Sequence, residues 1–250
     1  HQPMANDRKT ALITGAGQNI GKACALALAR NGFNIVINGR SKREQCDDVA
    51  DQVLRMGPDA LVAMGDVGSR EGCEAVVKPA LERFGRIDVM VHNAALRPSS
   101  PFLEMNEDDW HHILNVNMNA SFWLARLTLP GMVEAGWGRI VNFAGMNAMH
   151  GYNGRAHVST SKHGNWGLTK ALAKEFGPKG ITVNLVSPGP IRPENDDPKQ
   201  MAHHGEQLAH IPVGRLGEPN EVAAVVALLA SDEGAFINGQ MIQINGGMMT

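Results

Sequence analysis

Nothing constrains the fold of this chain more than a simple alternation. Short β-branched runs, Thr10 to Thr14, Asn34 to Asn38, Ala60 to Met64, Val89 to His92, Arg139 to Phe143, Thr182 to Ser187 and Met241 to Ile244, are separated by longer stretches. Four of those stretches, Ile20 to Asn31, Ser41 to Met56, Arg70 to Phe84 and Arg155 to Phe176, carry apolar residues at helical spacing. Each leads into a glycine (Gly32, Gly57, Gly85 or Gly177), the residue that best closes a helix in a left-handed turn. A strand that is apolar along its whole length is buried on both faces, and strands joined through helices run parallel by right-handed crossovers. The expected architecture is a doubly wound parallel α/β sheet of about seven strands with helices on both faces. Ligands of such sheets bind at the carboxyl ends of the strands.

The 250 residues, 43% hydrophobic and 19% charged, suffice for one core. A single domain is expected over residues 10–250, behind an arm at 1–9 in which His1-Gln2-Pro3 ahead of Met4 reads as a leader remnant. A net charge of −2 offers no basic face for a phosphate backbone, so nucleic acid is not an expected partner. No apolar stretch approaches the roughly 18 residues of a membrane span, and a cytoplasmic location is expected. Cys24, Cys46 and Cys73 form no C-x-x-C pair and read as small buried hydrophobes, not as a disulfide framework or zinc site. Glu107-Asp108-Asp109 reads as the opening of a helix running on through Asn117 to Val133, since a helix dipole favours negative charge there. The paired His111-His112 and His203-His204, and His210, lack a metal-ligand spacing, and no metal is expected. Pro188 to Pro198 is the candidate mobile loop.

The first strand runs through Thr14-Gly15-Ala16-Gly17-Gln18-Asn19-Ile20-Gly21 into a helix, the arrangement that presents unpaired amides and the positive end of a dipole to an anion. A Walker A reading fails, because Gly17 lies one residue too close to Gly21-Lys22, Gly15 one too far, and Ala23 cannot bind magnesium. In dinucleotide binders an acidic residue about 20 positions on holds the ribose of NAD, whereas a nearby arginine accepts the extra phosphate of NADP. Here the second strand ends Asn38-Gly39-Arg40, which favours NADP(H) over NAD(H); a solvated loop role for Arg40 stays open.

On these residues the chain resembles the short-chain dehydrogenase/reductase family, and within it the 3-oxoacyl-ACP reductases, from Thr10 to Gly247. The glycine turn resembles T-G-x-x-x-G-x-G with Asn19 in place of the middle glycine, a residue that tolerates positive φ. Gly65-Asp66-Val67 resembles the adenine-contacting segment, and His92-Asn93-Ala94-Ala95 stands where N-N-A-G is usual. Asn117 matches the helix asparagine and Ser187-Pro188-Gly189-Pro190-Ile191 the nicotinamide loop, although Pro193 replaces a frequent threonine. Ile211-Pro212-Val213-Gly214-Arg215-Leu216-Gly217-Glu218-Pro219 and Asn245-Gly246-Gly247 complete the pattern. The resemblance implies a Rossmann-like fold and a nicotinamide cofactor held by Gly15, Gln18, Asn19, Ile20, Gly21, Arg40, Asp66, Val67, Asn93, Ala94, Lys162, Pro188, Gly189 and Ile191. It also implies a small-molecule carbonyl or alcohol substrate and a homotetramer, for which the apolar helices around Trp123 and Trp166 and the apolar carboxyl-terminal segment offer surface to bury between subunits.

The resemblance breaks at catalysis. The family places a tyrosine four residues before a lysine and a serine thirteen before the tyrosine; counting back from Lys162 gives Val158 and Gly145. Asn117 and Lys162 remain as catalytic residues, and valine cannot exchange a proton. His150 and Tyr152 are the candidate replacements: an imidazole titrates near neutrality, and Tyr152 is the only tyrosine of the chain. His157 is turned about 100° from Val158 on the helix. Arg97, after the fourth strand, is a candidate for an anionic substrate. Three functions stay open: an oxidoreductase with a relocated proton donor, a lyase, dehydratase or hydrolase on the same scaffold, and a cofactor-binding subunit without turnover.

Overall fold

The computed structural model describes residues 8–194 and 205–250. The leader, residues 195–198 of the candidate mobile loop, and His203-His204 lie outside the described residues. Seven strands form one sheet: β1 (Thr10–Ile13), β2 (Asn34–Gly39), β3 (Ala60–Met64), β4 (Val89–His92), β5 (Gly138–Phe143), β6 (Ile181–Pro188) and β7 (Met241–Ile244). Their order is β3-β2-β1-β4-β5-β6-β7 and every pairing is parallel. The chain winds outward in both directions from β1 and β4, so the crevice between their carboxyl ends is the switch point where such sheets take ligands.

Alternation along each strand divides the core into two layers. Ala11 and Ile13 face α1 (Asn19–Arg30), α2 (Arg43–Met56) and a late helix, numbered α7 below; Leu12 faces the opposite layer of α3 (Arg70–Phe84), α5 (Ala120–Ala135) and α6 (Ala156–Phe176). The expected double winding is the one found. Cys24 and Cys73 lie in these layers with free thiols that burial, chiefly, pushes up to about 12, which leaves them inert. Glu107–Leu114 forms α4, capped by Asn106 Oδ1 accepting from Asp109 N at 2.7 Å, as the acidic run predicts. No described helix is long and apolar enough to cross a membrane.

Two expectations are corrected. Gly177 does not take a left-handed turn: at φ −52° it carries α6 into the 3-10 turn Gly177–Lys179, and Gly180 at φ +79° ends it. A Cβ at Gly180 would collide with the Gly136 carbonyl oxygen, so the chain needs its glycine three residues later than spacing suggests. The alternation also leaves out α7 (Pro219–Ala230), a largely apolar helix packed on α1. Its start is written in the sequence: Pro219 opens the first turn, and Glu218 and Glu221 form a reciprocal capping box.

Candidate active site

β1 delivers Thr14 into the glycine turn. Gly15 takes φ +61° and Asn19 φ +50°, the only non-glycine residue described with a positive φ. A Cβ on Gly15 would press on Ala94 Cα and Asn93 Nδ2 at 3.2 Å, and one on Gly21 would collide with the Gly15 carbonyl oxygen. The turn is held from β4. Asn93 Nδ2 donates to the carbonyls of Thr14 and Gly15, each at 3.2 Å, and the backbone N–H groups of Asn93 and Ala94 donate to Thr14 Oγ1 at 3.0 Å.

His92 closes this network. With Thr14 Oγ1 accepting two N–H groups, its proton goes to His92 Nδ1 at 3.0 Å, and the opposite ring nitrogen, Nε2–H, donates to the Val116 carbonyl at 3.0 Å. Those partners assign a neutral ring with the proton on Nε2. Burial, with the Lys162 charge adding to it against the Val116 hydrogen bond, lowers its pKa to about 3. His92 is thus a fixed strut between β1, β4 and the helix that carries Asn117.

No side chain caps the N-terminus of α1, and no carboxylate lies in its first turn, so Gln18, Asn19, Ile20 and Gly21 surround an N-terminus open to an anion. Asn19 Oδ1 itself accepts from Glu194 N at 2.8 Å. Asn38 is buried and turned inward, donating to the carbonyls of Ala63 and Gly65 at 3.0 and 3.1 Å. Arg40 is exposed, with no ion-pair partner among the described residues. Asp66 is exposed and shapes the turn ahead of α3 by accepting from Gly68 N at 2.9 Å, while Val67 is buried. Beyond β6, Gly189 N donates to Ile244 O at 2.8 Å, a Cβ on Gly189 would press on Asn245, and Ile191 bridges to Gly217. These residues, with Pro188 at the end of β6, rim the carboxyl edge of the sheet.

Asn117 sits in a π-turn (Asn115–Asn119) between α4 and α5 and is fully buried. Its Oδ1 accepts from Leu96 N at 2.8 Å, and its Nδ2 donates to Leu96 O at 2.9 Å and Ser161 Oγ at 3.2 Å. A π-turn displaces carbonyls from the helical ladder. Here side chains serve two of them: His92 bonds Val116 O, and Asn165 Nδ2 donates to Asn117 O at 2.6 Å. Lys162 Nζ, buried on α6, donates to Phe143 O at the end of β5 at 3.0 Å. Burial first, and the Arg97 charge second, lower its pKa to about 7. Asn117 is tied to α6 through Ser161, the residue before Lys162, whose hydroxyl accepts from Asn117 Nδ2 and donates to Val158 O at 2.8 Å.

The other candidates separate. His150 is exposed. Tyr152 is half-buried, its phenol pushed up by burial and drawn back by Arg155. His157 is buried, accepts from Val158 N at 3.0 Å, and has the Asp109 charge of α4 opposing the lowering of its pKa by burial. Val158 is completely buried. Gly145 takes φ +83°, ψ 178°, with only Pro188 O, at 3.7 Å, near a Cβ built there; space exists for a side chain, but the backbone disfavours one. The sequence reading did not single out Ser161, Asn165 or Arg155, whose roles depend on contacts across 44, 48 and 56 residues.

The family described as enoyl-(acyl carrier protein) reductase matches residues 15–249. The chain is 33% identical over 240 residues to the 3-oxoacyl-[acyl-carrier-protein] reductase FabG of Staphylococcus aureus, covering 96% of this chain and 98% of the relative. The enzyme of that name from Pseudomonas aeruginosa is 35% identical over 245 residues, covering 98% and 99%. Among solved structures, acetoin dehydrogenase YohF from Salmonella typhimurium superimposes with a TM-score of 0.89 at 31% identity, over 97% of this chain and 96% of that one. The chain belongs to the short-chain dehydrogenase/reductase family of oxidoreductases.

Proposed function

We propose that this protein is an NADP(H)-dependent oxidoreductase of a carbonyl or alcohol substrate in which Lys162 itself moves the proton. The cofactor reading rests on the open N-terminus of α1, the glycine turn in which a Cβ on Gly21 would meet the Gly15 carbonyl oxygen, and Arg40 with no ion-pair partner among the described residues. When bound, a nicotinamide supplies or accepts the hydride. The chain's own residues do the rest: Asn93 and Thr14 hold the phosphate turn, and Asn117 fixes the loop after β4 through both backbone groups of Leu96. The family's serine and tyrosine stations fall at Gly145 and Val158, neither of which donates a proton. The observation that carries the reading is the buried Lys162 ammonium on Phe143 O, lowered to about 7 and hence able to give a proton to a substrate oxygen, or take one, near neutrality. His150 and Tyr152 stand behind it as the alternative donors. The same reading takes the chain as a cytoplasmic homotetramer packed through the outer faces of α5 and α6.

A lyase or hydrolase with Lys162 as its base is favoured by one feature, the left-handed Gly145, which points to a station reshaped and not merely emptied. A pH profile with Lys162→Met tests both. As the acid of reduction, Lys162 is needed protonated, so carbonyl reduction should fall as pH rises through about 7. The substitution should remove that limb and cost about 10²–10⁴ in kcat/KM. Reduction that survives unchanged, or turnover with no change in nicotinamide absorbance, overturns the proposal.

A further inference from the structure

Resting on the reading of this crevice as the substrate site, a second feature narrows what enters it. The loop after β4 and the loop before α6 are fastened side by side: Ser100 N donates to Gly154 O at 2.7 Å, and Arg155 Nε to Ser99 Oγ at 3.1 Å. Asn117 pins Leu96, the residue before Arg97, at both its N–H and its carbonyl. Arg155 is the N-cap residue of α6, its side chain turned to Ser99, and Val158 and Lys162, four residues apart, share one face of the helix that follows. Arg97 approaches that face from the opposite loop. Arg97 is exposed; desolvation first, and the Arg155 charge second, hold its pKa down, and Arg97 in turn lowers that of Lys162.

Three cations converge here, and among the described residues none of them has a carboxylate partner. Like charges gathered without a counter-ion among the described residues cost free energy, and an arriving anion relieves that cost. The anions of the cofactor do not answer it. A pyrophosphate belongs at the N-terminus of α1 and a ribose phosphate at Arg40, at the ends of β1 and β2, whereas Arg97 and Arg155 follow β4 and β5.

We propose that the substrate carries an oxyanion, a carboxylate or a phosphate, gripped by Arg97 and Arg155 where the loops after β4 and before α6 are fastened together, with its reacting carbon directed toward Lys162. Guanidinium forks suit such groups because two parallel N–H donors match two oxygens.

Calorimetry on the full chain saturated with NADP+, which cannot reduce a ketone, tests this with two matched pairs: acetoacetate against acetylacetone, and dihydroxyacetone phosphate against dihydroxyacetone. At least one anion should bind roughly tenfold or more tightly than its neutral partner and weaken with added salt. The pair that shows the preference tells carboxylate from phosphate. Arg97→Met and Arg155→Met should each remove most of that preference, and Arg155→Lys should restore only part of it. Neutral partners bound as tightly by the unmodified protein, or a preference that survives the double Met variant, overturn the inference. Because heat and not turnover is read, an anion preference found here with no NADPH consumed when NADPH replaces NADP+ counts against the oxidoreductase reading and leaves this inference standing.

Discussion

The two halves of the crevice are built to different standards. On the β1 side the turn is held by Thr14, His92 and Asn93 in one continuous network, a Cβ at Gly21 would meet the Gly15 carbonyl oxygen, and only the amides that open α1 are left for a ligand. On the β5–α6 side Gly145 is left-handed with open space around it, Val158 offers no functional atom, and three cations face one another. A filled, fully bonded framework tolerates little substitution, since interiors are close-packed and orphaned polar groups are costly. The difference teaches that the cofactor end and the substrate end of one fold can be constrained independently.

The largest effect should come from attacking the tight half. Gly21→Val places a Cβ against the Gly15 carbonyl oxygen, which no rotamer change relieves because the obstacle is backbone. Overpacking of this kind costs about 1–3 kcal/mol and sometimes more. The expected result is a urea midpoint shifted down by that amount and calorimetric NADP(H) binding too weak to measure. A Gly21→Val variant that still binds NADP(H) with unchanged affinity would show the turn to be as slack as the opposite half.

The substrate half should respond differently to repair. Restoring a serine at Gly145 meets no clash but places an L-residue at φ +83°, with strain of about 1–2 kcal/mol, and Val158→Tyr forces a ring into a completely buried position. The double variant should therefore lose about 2–5 kcal/mol in denaturant titrations, adding the two costs. Its reduction of simple ketones should gain less than tenfold, well short of the roughly 10²–10⁴ that a working acid contributes. A gain of that full size would mean the station had been emptied, not rebuilt, and would erase the contrast.

What could be read from residues alone follows the same division. Strand positions were legible because apolar runs buried on both faces leave an unmistakable pattern, and the structure moves their ends by one or two residues at most. The glycine turn and the tolerance of Asn19 for positive φ were legible because they are local backbone requirements. Helix α7 was missed because a helix apolar on most sides shows little periodicity. The strut role of His92 was invisible, since a histidine where asparagine is usual says nothing of a carbonyl 24 residues away. The pairing of Arg97 with Arg155 arises from two loops fastened across the crevice, which spacing along the chain cannot encode.

The smallest expected effect lies at the rim of the tight half, at Arg40. Asn38, where a ribose-binding carboxylate is otherwise sought, spends its amide on Ala63 and Gly65 and is buried, so the adenosine end is left to Arg40. An exposed guanidinium gripping a phosphate is screened by water and salt, and such charge-assisted bonds contribute about 1.5–3 kcal/mol at best. Arg40→Ala should therefore weaken NADP(H) by roughly tenfold at low salt, and by less as ionic strength rises, because 1.4 kcal/mol is a factor of ten. NAD(H) affinity should stay the same, because the substitution creates no partner for a free ribose hydroxyl. Calorimetric titration of both cofactors at two salt concentrations checks it. An unchanged NADP(H) affinity, or an equal loss for NAD(H), would assign Arg40 to the solvated loop and leave the preference between cofactors to the buried network alone.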